Sequence, residues 1–176
     1  MTDWNATDYF KRLTSRNKLA QRLGFRTFKV SDLMGFGEAL TNAQTCSNFV
    51  CVSEVDDGYT EIENTPHIRR VKTVFLAMRY PIDNEGMRKD RFDTMHELFR
   101  QFMSDLIREK IQQEQNNIYI DTRVNFKEID KYFFTGCACA YYTIATTNYL
   151  SLAYDTEEWE AEDEGAFDKR FTEELK

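Results

Sequence analysis

The sequence predicts an α+β fold, with a mixed or antiparallel sheet and one long helix packed on a face. An N-terminal helix and an acidic C-terminal arm flank that core. Three observations carry the prediction. Strand-like runs fall in two blocks, on either side of a single long helical pattern, rather than alternating with helices as in βαβ repeats. Within the 176 residues, 41% are hydrophobic, enough to bury the core of one domain. Seven glycines and two prolines are too few for a collagen-like or linker-rich chain.

The first element is a helix over Thr7 to Leu23. Phe10, Leu13, Leu19 or Ala20, and Leu23 recur at three- and four-residue steps, Asn5 or Thr7 suits the N-cap, and Gly24 suits the residue past the end. Phe25 to Val30 then alternates as a short strand. Ser31 is placed to cap a short helix running to about Leu40, which Gly35 and Gly37 weaken. Phe49 to Val55 is a strand by composition. Asp57-Gly58 marks a hairpin turn, and Tyr59 to Glu63 reads as the returning strand.

Ile68 to Tyr80 is the next strand. Its stretch Val74-Phe75-Leu76-Ala77-Met78 is apolar on both faces, which places it centrally in a sheet, and Pro81 stops it. A helix follows from about Lys89 to Gln115. Its wide apolar stripe runs through Phe92, Met95, Phe99, Phe102, Met103, Leu106 and Lys110 or Ile111. Ile118 to Ile120 and Val124 to Phe126 are short strands. Phe134 to Thr146 is a longer one, mixing very small residues with aromatics, and Asn148 to Tyr154 reads as a further strand. Three segments result: a helical arm over 1–24, an α+β core over 25–154, and an acidic arm over 155–176.

The net charge is −7, and it is unevenly placed. Residues 1–30 hold seven bases and two acids; residues 155–176 hold ten acids and three bases. A basic start and an acidic end invite head-to-tail contact between copies, or contact within one copy. Two solvated arms would show the same pattern. The candidate contact residues are therefore Lys11, Arg12, Lys18 and Arg22 on the basic helix, with Tyr149, Tyr154, Glu157, Glu158 and Trp159 near the other end. Tyr and Trp are favoured where surfaces meet, although this cluster fits core packing equally well. An acidic chain is a poor non-specific nucleic-acid binder, which leaves the basic helix as the place for any phosphate contact.

No apolar run approaches the roughly 18 residues of a membrane span. The start, Met1-Thr2-Asp3-Trp4, lacks the basic and apolar regions of a signal peptide. The expectation is a soluble chain made in a cytoplasm, with no membrane partner. Cys46-x₄-Cys51 and Cys137-x-Cys139 lack the spacing of the common closed zinc sites. These four thiols are expected as small buried hydrophobes, with Cys137 and Cys139 on the same side of a strand.

Catalytic patterns are sparse, and neither a catalytic residue nor a cofactor or metal ligand is assigned. No HExxH, GxSxG, Walker A or GxGxxG is present. His67 follows a proline in a loop, and His96 sits at the edge of the long helix's stripe as a satisfied boundary residue. A metal-dependent nucleic-acid enzyme would have to draw on Glu61, Glu63 and Glu128, and such chemistry needs several acids converging at one place.

One block has a family likeness. Val71 to Tyr80 runs through a loop into the helix Phe92–Ile111. Asn125-Phe126-Lys127-Glu128-Ile129 and the strand from Phe134 to Tyr142 follow. This order and texture, over about half of the chain, resembles bacteriophage tail terminator or tail completion proteins. The resemblance implies a small α+β, non-catalytic virion subunit that forms a ring, a hexamer or dodecamer, at the neck. Its partners would be copies of itself and neighbouring neck, portal or tail-tube proteins, and its location the virion, after assembly in the host cytoplasm. The competing reading is a small adaptor subunit of a cellular secretion or injection complex.

Overall fold

The computed structural model describes residues 4–130 and 133–152. The N-terminal helix is split in two, α1 (Ala6–Arg16) and α2 (Lys18–Leu23). Asn17 causes the break. It is extended, donates its N–H to Leu13, and accepts from the Ala20 N–H through its side chain. Asparagine competes with helical hydrogen bonding in this way, so it ends one helix and caps the next. Asn5 caps α1 by accepting from Asp8 N–H at 3.0 Å. Gly24 closes α2 in the left-handed region, with φ 71, where a Cβ would be strained.

β1 (Phe25–Val30), α3 (Leu33–Asn42) and β2 (Asn48–Ser53) follow. Asp32, rather than Ser31, caps α3 by accepting from the Met34 and Gly35 N–H groups. β1 and β2 run parallel, with Phe25 opposite Asn48. That pair requires a crossover, and α3 supplies it. The other pairings in the sheet are antiparallel, so the sheet is mixed.

The hairpin is displaced from its expected place. β3 (Asp57–Glu61) pairs not with β2 but with β4 (His67–Arg79), with Asp57 opposite Val71. Asp57-Gly58 thus begins a strand, and the turn lies at 62–66. Asn64 and Thr65 take positive φ there, 50 and 85. Gly58 has a different reason to be glycine. A Cβ on it would lie 2.0 Å from the Arg69 carbonyl oxygen of the neighbouring strand, a backbone approach that only glycine permits.

β4 and β7 (Cys137–Tyr149) form the long spine, paired from His67↔Tyr149 to Arg79↔Cys137. Asn148 continues β7 instead of starting a further strand. β2 and β3 share one edge of β4, end to end. β5 (Ile118–Ile120) and β6 (Asn125–Glu128) share the free edge of β7 in the same manner. The long helix α4 (Glu85–Glu114) starts before the expected Lys89, because Asn84 caps it by accepting from Met87 N–H.

The sheet has two buried faces. On one, Val50, Val74, Leu76, Met78, Ala140, Tyr142 and Ile144 pack under α4 and α1. On the other, Phe49, Cys51, Phe75, Ala77, Cys137 and Cys139 pack under Phe36 and Leu40 of α3. That double cover explains the apolar second half of β4. Residues 4–24 pack as part of this core: Trp4, Tyr9, Phe10 and Leu13 are buried, and Phe10 meets Phe99 and Phe102. The α4 stripe holds through Leu106 and then ends on buried Glu109, while Ile111 is 60% exposed. Arg12 of α1 reaches Glu109 at 2.8 Å, so a charged residue can occupy a position the apolar spacing assigns to a hydrophobe.

Candidate interaction surface

The core on the α3 side of the sheet reaches as far as Phe75 and Tyr141. Strand alternation carries that same face onward to His67, Arg69, Thr147 and Tyr149 at the far end of the spine. There β3, β4, β7 and β5 bring four rings into one row: Tyr59, His67, Tyr149 and Tyr119. Successive centroids are 5.8, 6.3 and 5.2 Å apart, with interplanar angles of 72°, 67° and 68°. Each contact is edge-to-face, the geometry favoured by aromatic quadrupoles. The tyrosines are 55%, 52% and 36% exposed for Tyr59, Tyr149 and Tyr119. His67 Nδ1–H donates to the Thr65 carbonyl at 3.0 Å, which fixes its ring. Beside the row, Arg69 donates to Asp121 at 2.8 Å and holds that carboxyl below its usual range.

Exposed charges without an ion pair among the described residues are unevenly placed along the molecule, although Arg69 and Lys72 at the ring-bearing end are paired with Asp121 and Asp56. The loop and strand at the ring-bearing end carry Asp57, Glu61 and Glu63, all exposed. Among the described residues none of the three has a cation within ion-pair distance. The α1–α2–β1 corner carries the opposite sign. Lys11, Arg12, Lys18 and Arg22 are all exposed, as are Arg16 and Arg26. Arg12 is committed within the chain, to Glu109 and over the Tyr9 ring at 5.3 Å. Lys11, Arg16, Lys18, Arg22 and Arg26 have no carboxylate partner among the described residues. Arg26 pairs opposite Phe49, which pairs opposite Ala77 of β4. His67, at the acidic end, lies ten residues away along β4. At about 3.3 Å per residue the two ends are roughly 33 Å apart.

Of the remaining expected contact residues, Tyr149 belongs to the row. Tyr154, Glu157, Glu158 and Trp159 lie outside the described residues. The row itself is not legible in the sequence, because it needs the strand of Tyr59 to pair with β4 rather than β2, and His67 to lie in a strand rather than a loop. The tyrosines at alternating strand positions were the available signal.

The carboxylates considered for metal chemistry are not brought together. Glu61 lies opposite His67, whose partner is Tyr149; Glu128 lies opposite Ala140. Nine residues of β7 separate them, about 30 Å, and they sit on opposite sides of the spine. Among the described residues no group of three metal-ligating side chains occurs.

Glu128 instead ends a short polar chain. Tyr142 donates its hydroxyl to His96 Nδ1 at 2.8 Å, and His96 Nε2–H donates to Glu128 at 3.0 Å. Burial pushes the Tyr142 phenol well above its ordinary range, with Glu128's charge adding to it. The chain ties α4 to β7 and β6. The adjoining cleft of about 460 Å³ is lined by both signs, Arg88 and Lys89 against Glu85, Asp93, Glu128 and Asp130. The four cysteines are buried and unpaired. Burial raises the Cys51 thiol to about 12 and Cys137 to about 11, and raises Cys139 further.

No family model and no curated protein matches the chain. No helix of the described residues is long and apolar enough to cross a membrane.

Proposed function

We propose that the chain is a non-catalytic structural subunit that works by assembling with copies of itself, as a ring of a phage virion's neck or tail joining the head connector to the tail. One observation carries the reading. A row of exposed tyrosines lies beside an acidic tip at one end of the spine, and cations with no carboxylate partner among the described residues crowd the other. Exposed tyrosines provide rigid contact area at low entropic cost, and opposite-signed ends favour head-to-tail over face-to-face contact. The phage setting is supported by the element order behind the resemblance: long strand β4, loop, long helix α4, then strands. The neighbours would be portal, neck or tail-tube proteins.

Negative-stain imaging of the purified full chain at rising concentration tests this. Closed rings of one diameter are expected. Isolated small particles at every concentration would remove the reading, and symmetric pairs would favour the adaptor alternative.

A further inference from the structure

Resting on the self-assembly reading, we infer that the contact between copies is heterologous and docks Lys18, Arg22 and Arg26 of one subunit against Asp57, Glu61 and Glu63 of the next. The occupant of the tyrosine-bearing end is thus a second copy of this chain, seated by its basic corner.

Charge complementarity chooses this occupant. The acidic tip projects from the β3–β4 hairpin, whose five β3 residues are all exposed. Its carboxylates form no ion pair among the described residues, although Arg69 and Arg70 stand one strand away, Arg69 engaged with Asp121 and Arg70 reaching Asn148. The basic corner is built by two rigid devices. Gly24 fixes the angle between α2 and β1 through its left-handed backbone, and the Asn48 side chain holds the Leu23 carbonyl. Lys18, Arg22 and Arg26 therefore leave a defined surface rather than a loose arm.

The two ends cannot satisfy each other within one subunit, because the spine between them runs about 20 Å to Asp57, opposite Val71, and about 33 Å to Glu61, opposite His67. They can do so between subunits. A contact joining two different patches repeats, and it forms a ring where the rotation at each step closes a full turn, or an open filament where it does not. Tyr59 on β3 sits between the acids and offers its ring and hydroxyl to the partner's guanidinium groups, a cation–π arrangement that suits arginine.

The experiment uses two full-length variants. One carries Lys18→Glu, Arg22→Glu and Arg26→Glu; the other carries Asp57→Lys, Glu61→Lys and Glu63→Lys. All six positions are exposed, and a matching circular dichroism melt checks the fold of each. Light scattering in low salt should show wild type assembled and each variant alone monomeric. An equimolar mixture should regain the wild-type mass, because each variant's altered patch matches the other's. If wild type assembles and both variants do so as well, the assigned contact is wrong while the ring reading stands. If both variants fail alone and the mixture stays monomeric, the pairing of these two patches is likewise overturned. If wild type itself is monomeric throughout, the self-assembly reading fails and this contact with it.

Discussion

The ring of Phe99 lies flat on that of Tyr142, with centroids 3.6 Å apart and planes within 10°. This pair is where α4 meets the spine of the sheet. Phe99 is 4% exposed and also faces Phe10 of α1, so one side chain joins three elements. Tyr142 carries the contact on through its hydroxyl to His96. Truncating Phe99 to alanine removes the central knob of this core. Phe99→Ala should destabilise by about 3–5 kcal/mol in urea unfolding. A change near zero would mean that α4 presents a different face to the sheet.

Arg12 and Lys11 are neighbours in sequence with different predicted costs. Glu109 is 7% exposed, and Arg12 is the cation that neutralises it. Arg12→Ala leaves that carboxylate buried with Gln113 as its remaining donor among the described residues, and should cost about 1–3 kcal/mol. Lys11→Ala should stay within about 0.5 kcal/mol. Equal costs would contradict the buried role of the Arg12–Glu109 pair.

Glycine at 58 is predicted to be irreplaceable where glycine at 86 is not. A Cβ at Gly58 would strike the Arg69 carbonyl, whereas at Gly86 it would meet only Asn84 Oδ1, at 3.5 Å. Gly58→Ala should push β3 off β4, costing about 1–3 kcal/mol, and should weaken assembly by displacing the acidic tip. Gly86→Ala should be neutral or mildly stabilising. Thermal melts of the two variants decide this.

The thiols make a pH prediction. Ordinary thiols ionise near 9.0, and in the fold Cys51 and Cys137 are raised to about 12 and about 11 by burial. In neutral solution both folded and unfolded states keep these protons, so the stabilisation is fully present. As pH rises past 9.0 the unfolded chain loses its protons first, and stability must fall through the interval up to the folded values. Unfolding curves taken across that interval should show the decline. At pH 8 a disulfide-exchange reagent should titrate no thiol in the native protein and four after denaturation. Rapid native labelling would show that the thiols are accessible.

Local chemistry made much of this architecture legible. The α4 stripe, the double-sided apolar run of β4 and the Gly24 stop are each fixed by neighbouring residues. What stayed hidden is set by pairing at a distance. Asp57-Gly58 has the composition of a turn, and only the closeness of the Arg69 carbonyl shows why that glycine belongs in a strand. Asn17 interrupts a periodicity that otherwise continues through it, because its hydrogen bonds outweigh the pattern. Glu109 occupies a core position through a partner 97 residues away. Of the surface, the basic residues could be named from charge alone. The tyrosine row could not, since it depends on which strands lie side by side.

The most direct test of the account is the mass of the full chain by light scattering, taken over a wide concentration range in low and high salt. The account predicts a rise to a plateau at one fixed multiple of the 20.9 kDa subunit, with the plateau reached at higher concentration when salt screens the charged ends. A mass of one subunit at every concentration and salt would contradict it.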